Sequence, residues 1–317
     1  MLDIQDLHIR FRNAPEGREA VKGISLHMDE GEILGLVGES GSGKTVTAMA
    51  LAGLLIHAKT ELSGAIFFQG LDLLQASRET VRALRGKEIA VVFQEPMTSM
   101  DPVMRIGPQV EEALVVHTKL SAEERRARAL QAMADAELPE PGTLYRKYPH
   151  ELSGGMLQRA MVAAAIISEP KLLICDEPTT ALDVTIQAQI LRLMGDLRRD
   201  HGTAILLITH NMGVVAQLCD YVYVMYAGQI VEAAETFALF RAPRHPYTQG
   251  LLKAIPSLEG TADRLYTIRG SVPDPRCPLP GCRFCPRCDQ SRQDCARQVP
   301  DLRALAAGHW VRCCHIS

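Results

Sequence analysis

Residues 38–45 are Gly-Glu-Ser-Gly-Ser-Gly-Lys-Thr, which matches the pattern G-x-x-x-x-G-K-[ST] at every fixed position. The apolar run Ile33–Val37 precedes them, and an alanine-rich apolar segment, Val46–Leu55, follows. The motif therefore lies between a predicted strand and a predicted helix, where glycines let backbone N–H groups surround a phosphate. These flanks disfavour the alternative of a chance glycine- and serine-rich turn. We predict a nucleoside triphosphate site here.

The side chains of this loop have separate expected roles. Lys44 would reach the β- and γ-phosphates, and the Thr45 hydroxyl would ligate Mg²⁺. The backbone cradle around the phosphates would come from Gly38, Ser40, Gly41 and Gly43. Upstream, the ring of Phe11 is placed either to stack on a nucleotide base or to fill the core of a strand.

Composition limits the classes of protein to which the chain can belong. It has 317 residues, of which 47% are hydrophobic, enough for one large or two modest domains. With 34 basic and 37 acidic residues, the net charge of -3 gives no general attraction to nucleic acid or anionic lipid. No run of 18 apolar residues occurs, and acids stand near the start, so we expect a cytoplasmic protein.

Three apolar runs predict buried parallel strands of an α/β fold, and each is followed by polar side chains. The runs are Ile89–Phe93, Leu172–Cys175 and Ala204–Thr209. The polar residues that follow them are Gln94, the pair Asp176 and Glu177, and His210. Such positions suit Mg²⁺ ligands and a general base. The alternatives are a turn glutamine, solvated turn acids and a structural histidine.

Between the first two of these runs the pattern becomes helical. Ser121 and Glu124 form a capping box for a charged helix that runs to Ala136. Leu152-Ser153-Gly154-Gly155 then opens a second, apolar helix, whose start is either a simple N-cap or a second anion site. Asp183 precedes a later amphipathic helix and is expected to cap it.

Of the 9 cysteines, most lie near the C-terminus, and four of them have the spacing Cys282-x2-Cys285-x2-Cys288-x6-Cys295. In a reducing compartment this density indicates metal or cluster ligands rather than disulfides. The pattern is compatible with an iron–sulfur cluster, with zinc and with unliganded structural cysteines.

Taken in order, these motifs resemble the ATP-binding cassette family over at least residues 1–235. The resemblance implies a P-loop NTPase fold, with a mixed central sheet, antiparallel edge strands and a helical subdomain at about 97–160. A small cysteine-rich extension would occupy residues 236–317. The matching segments are the loop Gly38–Thr45, Gln94, the signature Leu152–Gln158, Asp176-Glu177, Ala181-Leu182-Asp183 and His210.

The family resemblance also implies a role for each residue. Mg²⁺ would be held by Thr45, Gln94 and Asp176. Glu177 would activate the attacking water, His210 would orient the γ-phosphate, and Phe11 would stack on adenine. Two cassettes would meet head to tail, so that Ser153, Gly154 and Gly155 would contact the γ-phosphate held on the phosphate loop of the partner cassette. Asp183 would be a further nucleotide-binding residue.

A finer resemblance, carried by Phe93–Thr98, Asp176–Thr185, Met225–Gly228 and Pro243–Thr248, is to the cassettes of bacterial dipeptide, oligopeptide and nickel importers. It implies a second, different cassette, two transmembrane permease subunits and an extracytoplasmic binding protein, with this chain at the cytoplasmic face of the inner membrane. It also implies a [4Fe–4S] cluster on Cys282, Cys288, Cys295 and Cys314, to which Cys285 and Cys313 are additional. The transported substrate would be selected by the other subunits.

Other proteins with a phosphate loop fit less well. A GTPase needs an Asn-Lys-x-Asp base-recognition motif, and the two asparagines, Asn13 and Asn211, lie in other contexts. Chromosome-associated cassettes carry long insertions before the signature, and this charge does not favour DNA. A non-transport ATPase in a nucleic-acid-linked or regulatory complex is the second hypothesis.

Overall fold

The computed structural model describes residues 1–12, 19–55, 59–180, 183–255, 266–273 and 279–316. Within these ranges the strands are β1 (Leu2–Phe11), β2 (Glu19–Met28), β3 (Ile33–Val37), β4 (Thr60–Phe68), β5 (Leu71–Asp72), β6 (Ile89–Val92), β7 (Leu172–Asp176), β8 (Ala204–Thr209), β9 (Tyr221–Tyr226), β10 (Gln229–Glu235), β11 (Arg303–Ala306) and β12 (His309–Val311).

The α-helices of the same ranges are α1 (Lys44–Leu51), α2 (Arg78–Leu84), α3 (Pro96–Ser99), α4 (Ile106–His117), α5 (Ala122–Asp135), α6 (Pro141–Leu144), α7 (Gly154–Ile166), α8 (Val184–His201), α9 (Met212–Leu218), α10 (Thr236–Arg241) and α11 (Pro246–Lys253). Short 3-10 turns cover Pro149–Glu151, Cys285–Arg287 and Gln293–Ala296. Among the helices described, none has both the length and the apolar character required to cross a membrane.

The described chain divides into two compact units. The first contains Met1–Met28, Leu34–Gln75 and Ile208–Ser317, and the second contains Asp29–Ile33 and Ala76–Leu207. The helical segment predicted at about 97–160 lies inside the second unit. The predicted boundary at residue 235 falls inside the first unit, and as a domain boundary it stays a prediction.

In the first unit, an antiparallel sheet has the strand order β2-β1-β4-β5. The first strand, β1, has ten residues and is interrupted by a bulge between Ile4 and Leu7. Asp6 has φ 46° at this bulge. Because the extra residue shifts the two-residue alternation, both Ile4 and Leu7 face the core.

The same unit also contains the strand order β11-β12-β10-β9-β3. Strands β3 and β9 pair in parallel, and β9 and β10 form a hairpin across Ala227 and Gly228. β12 pairs with β10, so the last strands of the C-terminal extension continue a sheet that begins before residue 235. All five residues of β3 are buried, so the phosphate loop follows directly on a strand of the core.

In the second unit, β6 and β7 pair in parallel, with Val92 opposite Cys175. Every residue of β7 is buried, as expected for a strand covered on both faces. Helices α4, α5 and α7 pack together beside these strands. Arg159 of α7 donates a hydrogen bond to the Glu137 carbonyl at 2.7 Å, which fixes the signature helix to the end of α5.

Candidate functional site

The phosphate loop connects buried β3 to α1, as the motif predicts. Gly38 and Gly43 have φ of 155° and 107°. A Cβ atom at Gly38 would lie 2.1 Å from the Met225 carbonyl oxygen, and one at Gly43 would lie 2.8 Å from that of Ala20. Only glycine fits at these two positions, so the loop conformation depends on them.

The face of the loop at Gly41 is open, because a Cβ atom there would meet nothing within 4 Å. Lys44 begins α1 and donates hydrogen bonds to the carbonyl oxygens of Gly38 at 2.7 Å and Glu39 at 3.0 Å. Ser40 is exposed and Thr45 is half-buried at the second position of α1. The loop thus presents a cationic side chain and a helix N-terminus, both suited to phosphate.

Phe11 and His210 belong to the same compact unit as the phosphate loop. Phe11 ends β1, and its side chain is 38% exposed, so it does not serve as a core residue of the described sheet. His210 follows buried β8 and is exposed. The next residue, Asn211, caps α9 by accepting from the Gly213 N–H at 2.9 Å, which fixes the backbone beside the histidine.

In the second unit, the structure brings together Gln94 and Glu177, which are 83 positions apart in the sequence. Gln94 follows β6 and Glu177 follows β7, and the parallel pairing of these strands places both at the same edge. The Gln94 amide donates to Glu177 Oε2 at 3.4 Å. Asp176, the last residue of β7, is only 4% exposed.

The position of Glu177 has two features that the sequence does not predict. Its φ is 49°, a conformation that non-glycine residues rarely adopt. Its Oε2 atom also accepts from the Thr180 hydroxyl at 2.8 Å. Thr180 therefore orients the carboxylate, and the only sequence signal for this role was its place three residues after the acid.

The signature segment is a true helix N-terminus, since the Ser153 hydroxyl accepts from the Met156 N–H at 3.3 Å. Ser153 and Gly154 are exposed and Gly155 is half-buried. The predicted N-cap is therefore confirmed, and the same geometry leaves backbone N–H groups directed outward for an anion. Asp183 likewise caps α8 by accepting from the Ile186 N–H at 2.9 Å. Its neighbours Ala181 and Leu182 lie outside the described residues.

The cysteine segment folds back on itself, with the Cys282 N–H donating to the Cys295 carbonyl at 2.7 Å. Burial raises the pKa of Cys282, and the nearby thiols of Cys313 and Cys295 raise it further. Burial also raises the pKa of Cys288 to about 11, with added effects of Cys282, Cys313 and Cys295. Cysteines distant in sequence thus lie near one another. Cys277 is outside the described residues.

Two residues with oxygen or nitrogen ligand atoms, Asp294 and His315, lie beside Cys295, one of the ligands predicted near the C-terminus. Asp294, Cys295 and His315 each offer one ligand atom within 4.8 Å of the others, and of the four predicted cluster ligands this group, found among the described residues, contains only Cys295. His315 Nε2 lies 2.9 Å from Asp294 Oδ1, and this hydrogen bond lowers the pKa of Asp294. Burial raises the pKa of Cys314, with Cys295 as the next contribution. Sequence analysis did not identify Asp294 or His315.

Comparisons with known proteins give two matching family regions. The model described as ABC transporter matches residues 21–180. The model described as oligopeptide/dipeptide transporter, C-terminal region, matches residues 231–295. The second match covers the segment in which the cysteine motif begins.

Similar proteins include two from Bacillus subtilis (strain 168). The oligopeptide transport ATP-binding protein AppD is 45% identical over 99% of this chain and 96% of its own length. The dipeptide transport ATP-binding protein DppD is 42% identical over 99% of this chain and 94% of its own length.

Among solved structures, the dimeric post-hydrolysis state of the ATP-binding cassette MJ0796, bound to ADP and Pi, aligns with a TM-score of 0.68. It is 26% identical and covers 74% of this chain and 99% of that one. The phosphate loop, the acidic strand end and the capped signature helix are thus those of an ATP-hydrolysing cassette, and the chain belongs to the ABC transporter family.

Proposed function

We propose that this chain is the ATPase subunit of an importer that takes up dipeptides or oligopeptides, or a related small solute such as a nickel chelate. The observation that carries the proposal is similarity over the whole chain to peptide transport ATP-binding proteins, including the C-terminal region. A cassette that served another machine would share the first part of the chain but have no reason to share residues 231–295.

In the nucleotide site, Lys44 and the backbone of Gly38, Ser40, Gly41 and Gly43 bind the phosphates. The open face at Gly41 and the outward helix N-terminus fit that ligand. The hydroxyl of Thr45, the Gln94 amide and the Asp176 carboxylate are hard oxygen donors, the type that Mg²⁺ prefers. When bound, Mg²⁺ neutralises charge on the β- and γ-phosphates. Phe11, with its partly exposed ring, stacks on adenine.

Hydrolysis in this scheme depends on Glu177 as the general base. Its carboxylate takes the proton of the water that attacks the γ-phosphate, and His210 donates a hydrogen bond to that phosphate. Thr180 and Gln94 hold the same carboxylate oxygen, Oε2.

A second cassette, a different chain, completes each site. The exposed capped N-terminus formed by Ser153, Gly154 and Gly155 binds the γ-phosphate on the partner's loop. Asp183, which caps α8, is a further nucleotide-binding residue of this proposal. ATP favours the closed pair because it contacts both cassettes, and hydrolysis removes those contacts. The solved cassette with similar structure is described as dimeric.

The remaining subunits are two transmembrane permeases and an extracytoplasmic substrate-binding protein, with no nucleic acid. The ATPase is then peripheral, at the cytoplasmic face of the inner membrane, and is held there by the permeases. Substrate choice belongs to the binding protein and permeases. Closure of the cassettes supplies the motion that switches access between the two sides.

For the cysteine module we propose a [4Fe–4S] cluster on Cys282, Cys288, Cys295 and Cys314. The hydrogen bond from the Cys282 N–H to the Cys295 carbonyl, at 2.7 Å, holds two of these four residues on adjacent stretches of the chain and supports the proposal. Thiolates are the ligands that iron–sulfur clusters require. The Asp294, Cys295 and His315 group has the mixed donor set of a zinc site, so zinc is the competing occupant.

The experiment that tests the importer is affinity purification of the tagged chain from its native membrane after gentle solubilisation, with bound proteins identified by mass. Recovery of two permeases and a second cassette is the expected result. Recovery of only soluble or nucleic-acid-bound partners would overturn the transport assignment while leaving the ATPase intact. Iron and zinc are assayed in the same sample, since either metal at a stoichiometric level identifies the occupant of the cysteine module.

A further inference from the structure

We propose that Arg287, in the C-terminal extension, is a positioning residue for the phosphate loop and neutralises Glu39 within it, so that ATP affinity depends on this contact. Glu39 is the second residue of the phosphate-loop motif, and Arg287 is 248 positions away. The inference rests on the ATP site proposed above. It does not depend on which solute is transported.

The contact between the two side chains is bidentate. Arg287 donates from Nη1 to Glu39 Oε2 at 2.7 Å and from Nη2 to Glu39 Oε1 at 3.1 Å. The arginine side chain is 6% exposed and the glutamate side chain is 27% exposed. A paired geometry with this degree of burial is the strong form of the ion pair, in contrast to the solvated pairs of a protein surface.

The guanidinium is itself held in a fixed direction. Its Nε donates to the Arg269 carbonyl at 2.8 Å, and Nη1 lies 3.3 Å from the Tyr226 hydroxyl. Its central carbon is 5.8 Å from the centre of the Tyr226 ring. A side chain fixed at three points loses little further entropy when it binds Glu39, so it suits a positioning role.

A second residue of the extension also holds Glu39. The Tyr247 hydroxyl accepts a hydrogen bond from the Glu39 N–H at 2.8 Å. Tyr247 is fully buried and packs against Tyr226 and Phe284, with ring centres 4.7 and 5.4 Å away. The extension therefore contacts both the backbone and the side chain of one phosphate-loop residue through a rigid aromatic cluster.

Glu39 connects this cluster to the phosphate-binding lysine. Its carbonyl oxygen accepts from Lys44 Nζ at 3.0 Å and from the Ser42 N–H at 3.2 Å. The Glu39 carboxylate is thus attached to the same short loop that receives a triphosphate. Without a cation beside it, this carboxylate would repel the incoming phosphates. Arg287 removes that repulsion and fixes the loop at the same time.

The test measures ATP affinity of the full-length chain, purified with its bound subunits, by titration with a fluorescent ATP analogue. Arg287→Gln should weaken binding about tenfold, as expected from loss of one charge-assisted pair. Because ATP at saturation refills the site, kcat should fall by less than the affinity does. Arg287→Lys keeps the charge and should recover part of the loss.

The double variant Glu39→Gln with Arg287→Gln separates charge from general damage. If repulsion by Glu39 causes the defect, the double variant should bind ATP within about threefold of the unmodified chain. If Arg287→Gln instead disordered the extension, the added Glu39→Gln substitution would not restore ATP affinity. Arg297→Gln, at an exposed arginine of the same segment, is the matched control and should leave affinity unchanged.

Two outcomes would overturn the inference. One is Arg287→Gln binding ATP as tightly as the unmodified chain does. The other is a double variant that remains as weak as Arg287→Gln alone. Failure of the unmodified chain to bind ATP would instead overturn the nucleotide site itself, so the two failures are distinguishable. Melting temperatures of all variants identify any that fold poorly.

Discussion

At the scale of single residues, the backbone and the hydrogen bonds of Glu177 fix the direction of its carboxylate. Its backbone is left-handed at φ 49°, and its Oε2 accepts hydrogen bonds from Thr180 and Gln94. A strained non-glycine backbone persists only where its surroundings fix it. Both donors bind the same carboxylate oxygen, so these two hydrogen bonds orient the side chain.

Replacement of Glu177, the proposed general base, gives the first prediction at the scale of single residues. Glu177→Gln should keep ATP affinity but slow hydrolysis by about 10² to 10⁴, the usual loss when a general base is removed. The amide retains the shape of the carboxylate and an oxygen for the Thr180 hydroxyl. Phosphate release and ATP binding are measured on the same preparation. Glu112→Gln, at an exposed helical position, is the control, and unimpaired turnover in Glu177→Gln would contradict the assignment.

At the scale of elements, α5 and α7 offer a matched pair of helix N-termini. Ser121 caps α5 and Ser153 caps α7, and each hydroxyl accepts a backbone N–H at 3.3 Å. Only the second cap belongs to the signature segment. The two serines therefore allow the structural role of a cap to be separated from contact with a nucleotide.

Ser121→Ala and Ser153→Ala should each lower the free energy of unfolding by about 1 kcal/mol, the typical cost of a lost cap. Only Ser153→Ala should also slow ATP hydrolysis, by about tenfold, because a hydrogen bond to a charged phosphate is lost as well. Denaturant unfolding and phosphate release in the assembled complex are the measurements. Equal turnover in both variants would remove Ser153 from the nucleotide site.

The cysteine turn allows a second comparison between neighbouring residues. Cys288→Ser should abolish the brown colour and the iron of anaerobically purified protein, because an alcohol does not replace a thiolate at iron. Cys285→Ser, three residues earlier, should retain both, since Cys285 is additional to the proposed ligand set. Iron content and visible absorption of the two variants are compared. Colour that persists in Cys288→Ser would exclude this residue as a ligand.

At the scale of the whole molecule, local patterns predicted the elements that local chemistry determines. Buried β7 and β8 were evident as continuous apolar runs, and the caps at Ser121, Ser153 and Asp183 as single polar residues before helices. Parallel pairing of β6 with β7 then brought Gln94 to Glu177, as expected for side chains that follow neighbouring strands.

Other features lacked a local signal. A bulge at Asp6 interrupts β1, and nothing in the surrounding residue types marks it. The bond from Arg287 to Glu39 joins residues 248 positions apart, and the pairing of Val311 in β12 with Glu232 in β10 also joins segments that are not neighbours in the sequence. Contacts of this range depend on the assembled fold, so no window of sequence contains both partners.

The stability of the whole molecule should depend on pH through His245, whose ring is buried in the folded protein. His245 is 1% exposed, and its Nδ1 accepts from the Tyr247 N–H at 3.0 Å. Burial, with a smaller contribution from Arg312, lowers its pKa from 6.5 to about 3. Between these values the unfolded chain binds a proton that the folded chain does not, so acid favours unfolding.

The free energy of unfolding should therefore fall by about 1 kcal/mol through this histidine between pH 7 and pH 5.5, as the linkage relation gives. His245→Asn keeps a polar acceptor for the Tyr247 N–H and removes the titrating group, so its pH dependence should be weaker by that amount. Denaturant unfolding under reducing conditions measures both proteins. His201→Asn, at an exposed histidine, should keep the original dependence. An identical dependence in His245→Asn would show that the ring does not remain neutral in the folded protein.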